Sequence, residues 1–281
     1  MSEVQKYSMD SKLCLYWPPY PEIKSYYDMI DASVAYGFSH LEGFSNLDFS
    51  MPDTENAKKV REYADSKGIS FSCFSVYINL VGKDSGEMAE KLRGYAEVAK
   101  ILGSPYLHHT VVNDFSDPQN VLPYRDEFFK KGIESIRDIY DFAESLGVRT
   151  IYEEQGFLFN GIDGIARLLD SVNRDVGIVA DFANIYQAGE ELEEFIKAFG
   201  KRVVHAHIKD IALLPERGEE GLKTLSQSYM HEREIGDGIV NIKGCIDLLK
   251  SYGYTGFYGI EYTAKNFGKM KSIIDELKVM M

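Results

Sequence analysis

The sequence has little of what defines several common protein classes. Its 281 residues include only three cysteines, Cys14, Cys73 and Cys245. They are widely spaced and outside any CxxC pattern, so neither a disulfide framework nor a structural zinc site is indicated, and a reducing cytoplasm fits. No uninterrupted apolar run approaches the roughly 20 residues needed to span a bilayer. The opening Met1-Ser2-Glu3-Val4-Gln5-Lys6 lacks an apolar signal core. Positive charge is also scarce: 31 Lys and Arg against 44 Asp and Glu give a formal net charge of −13. That balance argues against nucleic acid or an acidic membrane surface as the main partner. Neither GxGxxG nor GxxxxGK(S/T) occurs, and Gly236-Asp237-Gly238 is too short to stand for either. This counts against an open, doubly wound sheet holding a nucleotide.

What the chain does contain is one unit used repeatedly: an amphipathic helix, a glycine suited to a left-handed C-cap, and a short strand. The glycines are Gly37, Gly68, Gly103, Gly147, Gly200 and Gly253, each shortly before a strand-like run. Those runs are Phe38–Glu42, Ile69–Cys73, Pro105–His109, Val148–Glu153, Arg202–Lys209 and Gly256–Glu261. Lys12–Tyr16 and Val176–Phe182 complete a set of eight. Phe129, Ile133, Ile136, Tyr140, Ala143 and Leu146 recur at three- and four-residue steps, which predicts a helix from about Tyr124 to Leu146. Ala57, Val60, Tyr63 and Ala64 do the same after the start signal Pro52-Asp53-Thr54. Eight strands alternating with helices, without long hairpin signals, predict a parallel sheet closed into a (β/α)8 TIM barrel, one domain spanning residues 1–281.

Chemistry in such a barrel sits where strands end. Glu153, Asp181, His207 and Glu261 all fall at or near strand ends, and period-two alternation puts each on the interior side. Desolvated carboxylates that close cannot all stay ionised unaided, and a divalent cation resolves the conflict. Three carboxylates and one imidazole form a hard, mostly oxygen site that favours Mn²⁺, with Mg²⁺, Co²⁺ or Zn²⁺ as alternatives.

Ile151-Tyr152-Glu153, Val179-Ala180-Asp181, His205-Ala206-His207-Ile208-Lys209-Asp210 and Gly259-Ile260-Glu261 resemble the sugar phosphate isomerase/epimerase superfamily, the xylose-isomerase-like barrels. That superfamily includes ketose 3-epimerases, hydroxypyruvate isomerases, inosose dehydratases and, more distantly, zinc apurinic endonucleases. The resemblance implies a metal held by Glu153, Asp181, His207 and Glu261, with Glu153 and Glu261 also acting as acid and base. It further implies proton abstraction beside a carbonyl through a metal-stabilised cis-enediolate. The expected substrate is a small sugar, sugar phosphate or hydroxy-keto acid. Loss of water from the same intermediate gives a dehydratase as the alternative, and an endonuclease-like hydrolase or a non-catalytic sugar-binding barrel are more remote ones.

The sequence departs from the family pattern at Asn184, where many members carry a histidine three residues after the metal-binding Asp. It departs again at Ser75-Val76-Tyr77, which supplies no histidine; a trinuclear zinc site would need several more. Candidate substrate contacts are Asn184, Trp17, Lys209, Arg233 and His109. Of His108 and His109 only one can face the axis, and His109 is the one expected there. Lys209 shares the face of His207, with pairing to Asp210 or a neighbouring carboxylate as the other option. Glu42 reads as a strand-end residue that a solvated loop position would also explain, and Glu154 as a structural residue pointing away from the axis. The stretch Ile211–Glu234 lacks a clear barrel element and is expected to form a lid or specificity loop. A homo-oligomer is compatible with the sequence.

Overall fold

The structure, a computed structural model, describes residues 12–113 and 117–281; the Met1–Lys6 segment read above lies outside the described residues. Among the described residues, eleven strands run in chain order as β1 (Leu13–Leu15), β2 (His40–Phe44), β3 (Ser70–Val76), β4 (Tyr106–His109), β5 (Arg149–Glu153), β6 (Gly177–Asp181), β7 (Val203–Ile208), β8 (Asp210–Leu214), β9 (Leu222–Lys223), β10 (Tyr229–Arg233) and β11 (Phe257–Ile260). The α-helices described between or after them are α1 (Tyr26–Ala35), α2 (Thr54–Lys67), α3 (Ser85–Leu102), α4 (Arg125–Ser145), α5 (Gly161–Val172), α6 (Leu192–Phe199), α7 (Ile242–Ser251) and α8 (Phe267–Met280). β1 to β7 and β11 close into a parallel barrel in the order β1-β11-β7-β6-β5-β4-β3-β2, the eight-stranded (β/α)8 architecture.

Local chemistry accounts for the joints. Asp53 caps α2 by accepting from the Asn56 amide, and Gly68 closes the helix at φ 73°. Gly200 departs from the expected left-handed cap: its φ is −52°, and a Cβ there would come within 2.7 Å of the Tyr252 ring. Close approach rather than backbone handedness calls for glycine at that joint. On α4, Ile133, Ile136 and Ala143 face inward, as the spacing predicts. The main core lies between the barrel wall and the helices. A separate small cluster of Cys73, Ile151 and Val179, with Tyr106 and Val204 against it, belongs to the interior.

The stretch after β7 differs most from the sequence expectation. Instead of a loop without regular structure, β8, β10 and β9 form a three-stranded antiparallel sheet, with Met230 opposite Leu213 and Leu222. Its base is tied down by Asp210, whose carboxylate accepts from the amides of Ile211, Gly236, Gly238 and Val240. A Cβ on Gly238 would collide with that carboxylate, so the Gly236-Asp237-Gly238 turn is built around Asp210. The three cysteines are buried free thiols. Among the described residues, no helix is long and apolar enough to cross a membrane.

Candidate metal centre

Four side chains from four strands meet at the C-terminal mouth of the barrel. Glu153 and Asp181 end β5 and β6, His207 is next to last in β7, and Glu261 directly follows β11. Strand pairing sets Asp181 beside His207 and His207 beside Gly259. One ligand atom from each of Glu153, Asp181, His207 and Glu261 lies within 4.8 Å of the others. The ring atom facing the carboxylates is His207 Nδ1, 2.6 Å from Glu153, 3.7 Å from Glu261 and 3.9 Å from Asp181. Lys209 Nζ lies 2.9 Å from Glu261 and 3.3 Å from Asp181. Lys209 therefore pairs with these neighbouring carboxylates, while Asp210 is engaged with backbone amides.

Burial dominates the ionisation of this cluster. It pushes the Glu261 carboxyl up to about 8, against the Lys209 ammonium and with help from the Asp181 charge. It raises Glu153 as well, opposed by the hydrogen bond from His207. For Asp181, burial is outweighed by Lys209, His207 and the amides of Ala183 and Asn184, and the carboxyl is held below its ordinary value. His207 is raised well above the ordinary imidazole range, because Glu42 and Glu153 overcome the burial that would neutralise it. Asp181 Oδ2 is buried without a hydrogen bond. Three carboxyl groups facing one lysine and one imidazole, with a buried carboxylate oxygen left without a hydrogen bond, form a donor set that fits a hard divalent cation.

Beneath this cluster lies a second set of polar groups that the sequence reading underrated. Glu42 is fully buried in β2, where a solvated loop position had been an option. Its Oε1 accepts from Ser75 at 2.7 Å and from His207 Nε2 at 3.1 Å, and its Oε2 accepts from His205 at 2.6 Å. Burial opposes its ionisation, yet the His207 and His205 rings hold it well below the usual carboxylate range. The histidine facing the interior on β4 is His108 rather than His109. His108 Nδ1 lies 3.0 Å from Ser75 Oγ, and its Nε2 is 3.8 Å from Glu153. His109 points the other way: its Nδ1 donates to the Thr110 carbonyl, and its Nε2 accepts from the Tyr152 hydroxyl. The tight packing of that pocket, with burial pushing the ring down to about 4, makes His109 a neutral structural residue.

Beside the cluster a cavity of about 310 Å³ opens, bordered by Lys209, Asn184 and Arg233 together with Gln155 and Glu232. Arg233 and Glu232 come from β10, so the small antiparallel sheet forms one wall. Asn184 Nδ2 is buried there without a protein partner. Trp17 does not border this cavity; it packs on Phe44 at 4.8 Å and edge-on to Tyr16 at 5.6 Å. The aromatic surface next to the cluster is instead Tyr16, stacked on His207 at 4.4 Å. Glu154 is fully buried outside the cluster and accepts from the Asp181 amide, a structural placement.

The fold and this cluster define a (β/α)8 barrel with a carboxylate-and-imidazole centre at its C-terminal mouth. The family model for xylose isomerase-like TIM barrels matches residues 30–281, and the chain belongs to that family. It is 24% identical to an inosose isomerase of Bacillus licheniformis over 213 residues, covering 73% of this chain and 71% of the relative. It is 22% identical to an inosose dehydratase of Clostridium perfringens over 222 residues, covering 74% and 73%. The fold is shared with a xylose isomerase-like TIM barrel protein from Mycobacterium smegmatis, solved in complex with magnesium. That likeness has a TM-score of 0.72 at 16% identity and covers 97% of this chain and 98% of the other.

Proposed function

We propose that the protein is a divalent-metal-dependent isomerase or epimerase of a small sugar, sugar phosphate or hydroxy-keto acid. Glu153, Asp181, His207 and Glu261 are assigned to hold the metal, Mn²⁺ in preference to Mg²⁺, Co²⁺ or Zn²⁺. The observation that carries this reading is the convergence of those four side chains within 4.8 Å at the mouth of the barrel. The magnesium held by the M. smegmatis relative supports it. A cation bound there would polarise a substrate carbonyl and acidify the neighbouring C–H.

Glu153 and Glu261 are the acid–base pair. Burial raises both carboxyls in the metal-free protein, Glu261 to about 8; a cation between them would hold the carboxylates ionised and so ready to take a proton. One removes the proton beside the carbonyl; the other delivers a proton to the opposite face for epimerisation, or to the adjacent carbon for isomerisation. Lys209, Asn184 and Arg233 are the proposed contacts to substrate oxygens, since all three border the cavity beside the cluster. Asn184 offers two donors where a histidine would offer one, which suits a hydroxyl. His109, with both ring nitrogens engaged by Thr110 and Tyr152, is left out of that role, while Trp17, half-buried against Tyr16 and Phe44, stays a proposed apolar wall for the substrate. The second reading is a lyase that expels water after the same proton abstraction, favoured by the likeness to an inosose dehydratase.

The test is proton NMR in deuterated water, with Mn²⁺-incubated protein passed free of excess metal and a panel of inososes, ketoses, ketose phosphates and hydroxypyruvate. The expected result is metal-dependent deuterium incorporation beside the carbonyl, reduced about 10²- to 10⁴-fold in Glu153→Gln and Glu261→Gln, the range general acid–base groups contribute. A dehydrated product would select the lyase. Ligand binding without exchange would leave a sugar-binding barrel.

A further inference from the structure

We propose that Glu42 is a positioning residue for His207: it fixes the ring with Nε2 protonated and turned to the barrel interior, so that Nδ1 is the atom offered to a cation. The inference rests on the metal-centre reading above and extends it to a residue one layer down. Three observations converge on it. First, carboxylate oxygens only accept, so the 3.1 Å contact between Glu42 Oε1 and His207 Nε2 requires the hydrogen to be on Nε2. Nδ1, which donates to Glu153 at 2.6 Å in the metal-free protein, is the atom facing Glu153, Asp181 and Glu261, and its proton, not the one on Nε2, is the one a cation among them would displace. Second, Glu42 is itself held from two strands. Ser75 of β3 donates to the same oxygen at 2.7 Å, and His205 of β7 donates to the other at 2.6 Å. A carboxylate gripped in this way has one orientation, and it passes that orientation to the ring.

Third, the barrel keeps space clear for the contact. Gly259 of β11 pairs with His207, and a Cβ built on it would lie 2.5 Å from Glu42 Oε2, 3.2 Å from His207 Cδ2 and 3.2 Å from Tyr16 Cβ. The φ of Gly259 is not in the left-handed region, so backbone freedom does not explain the glycine; the Glu42–His207 contact does. Tyr16, stacked on the ring with 20° between planes, fixes the remaining degree of freedom. A ligating imidazole whose far nitrogen donates to a carboxylate gains both a defined tautomer and greater basicity, and loss of such a partner weakens metal binding by about 10- to 100-fold.

The experiment has a part that needs no variant. In protein labelled with ¹⁵N-histidine and loaded with diamagnetic Zn²⁺, His207 should appear as the Nε2–H tautomer with a slowly exchanging ring proton. A proton on Nδ1, or a freely exchanging Nε2–H, would overturn the proposal. In parallel, Mn²⁺ affinity is measured by calorimetry for wild type, Glu42→Gln and Ser75→Ala. The expected result is a 10- to 100-fold loss in Glu42→Gln and a smaller loss in Ser75→Ala, which loosens the grip on Glu42 but leaves the Glu42–His207 contact in place. Equal losses in both variants would reduce Glu42 to a packing role and overturn the proposal. Unchanged affinity in a folded Glu42→Gln protein overturns the role of Glu42 alone, whereas a wild-type protein that binds no Mn²⁺ overturns the metal-centre reading with it.

Discussion

Two sets of ionisable groups are stacked in the barrel, and they meet the cost of burying charge in different ways. In the lower set the protein supplies its own compensation: the Glu42 carboxylate accepts from Ser75, His205 and His207, and its ionised form is favoured despite complete burial. In the upper set compensation is incomplete. Glu153 and Glu261 are pushed up by burial, Lys209 is shared between Asp181 and Glu261, and Asp181 Oδ2 has no hydrogen bond. A layer that balances itself serves as scaffold, and a layer whose carboxyls burial pushes toward the neutral form is prepared for a cation that would ionise them. His207 belongs to both, with one nitrogen turned to each.

The broadest way to sharpen this contrast is pH. Glutamate in an unfolded chain titrates near 4.3, whereas Glu261 in the fold is raised to about 8. A raised carboxyl contributes stability that is complete below the unfolded value and is lost as pH rises through the folded one. His207, also raised, acts in the same direction. The depressed His109 works the other way below the unfolded imidazole value near 6.5, so the metal-free protein should lose thermal stability between about pH 6.5 and 8. Metal binding needs the deprotonated ligands, so its stabilisation should grow over the same interval, reaching about 2.7 kcal/mol at a free metal concentration 100 times Kd. Melting curves with and without Mn²⁺ at pH 5, 6.5 and 8 test this; a constant or shrinking gap contradicts it.

A smaller effect isolates the lysine. Lys209→Met removes the one ammonium that neutralises Asp181 and Glu261. The metal-free protein should melt lower, while Mn²⁺ binds more tightly by about tenfold, because a competing positive charge has left the site. Calorimetry checks the sign; weaker binding in the variant would show that Lys209 supports the cation instead of competing with it.

The smallest effect is expected at Glu154, just outside the cluster. Burial, with the Asp181 and Glu153 charges, raises its carboxyl well above the ordinary range, which favours the protonated form. Glu154→Gln keeps an acceptor for the Asp181 amide and should change stability by no more than about 0.5 kcal/mol, within the range of mild substitutions. Glu154→Ala should cost about 1 to 3 kcal/mol, the penalty for a buried donor left unpaired. Chemical denaturation separates the two; equal losses would mean that the carboxylate charge itself matters.

The parts of this arrangement that could be read in the sequence are those set by local rules. Gly68 and Gly103 terminate helices in the left-handed region, and α2, α4 and their neighbouring strands follow from spacing and caps. Glu153, Asp181, His207 and Glu261 stand out because each closes a short strand-like run. What was hidden depends on register. His108 and His109 are adjacent, and a one-residue difference in phase exchanges the faces of a strand. Glu42 sits at an irregularity in the β2–β3 pairing between Leu41 and Glu42, which simple alternation cannot anticipate. The β8–β10–β9 sheet was missed because its turns carry no Asn-Gly signal. One positive-φ position there is Gln227, at φ 67°, a residue type that does not announce a turn.

The central claim is that the upper layer is built for one divalent cation. Its most direct test is a calorimetric titration of chelator-treated protein with Mn²⁺ at pH 7.5, for wild type and for Asp181→Asn, which removes the carboxylate charge while leaving the shape of the side chain. The account predicts a single saturable site in the wild type and its loss in the variant, with folding preserved in both. No binding by the wild type, or equal affinity in Asp181→Asn, would contradict it.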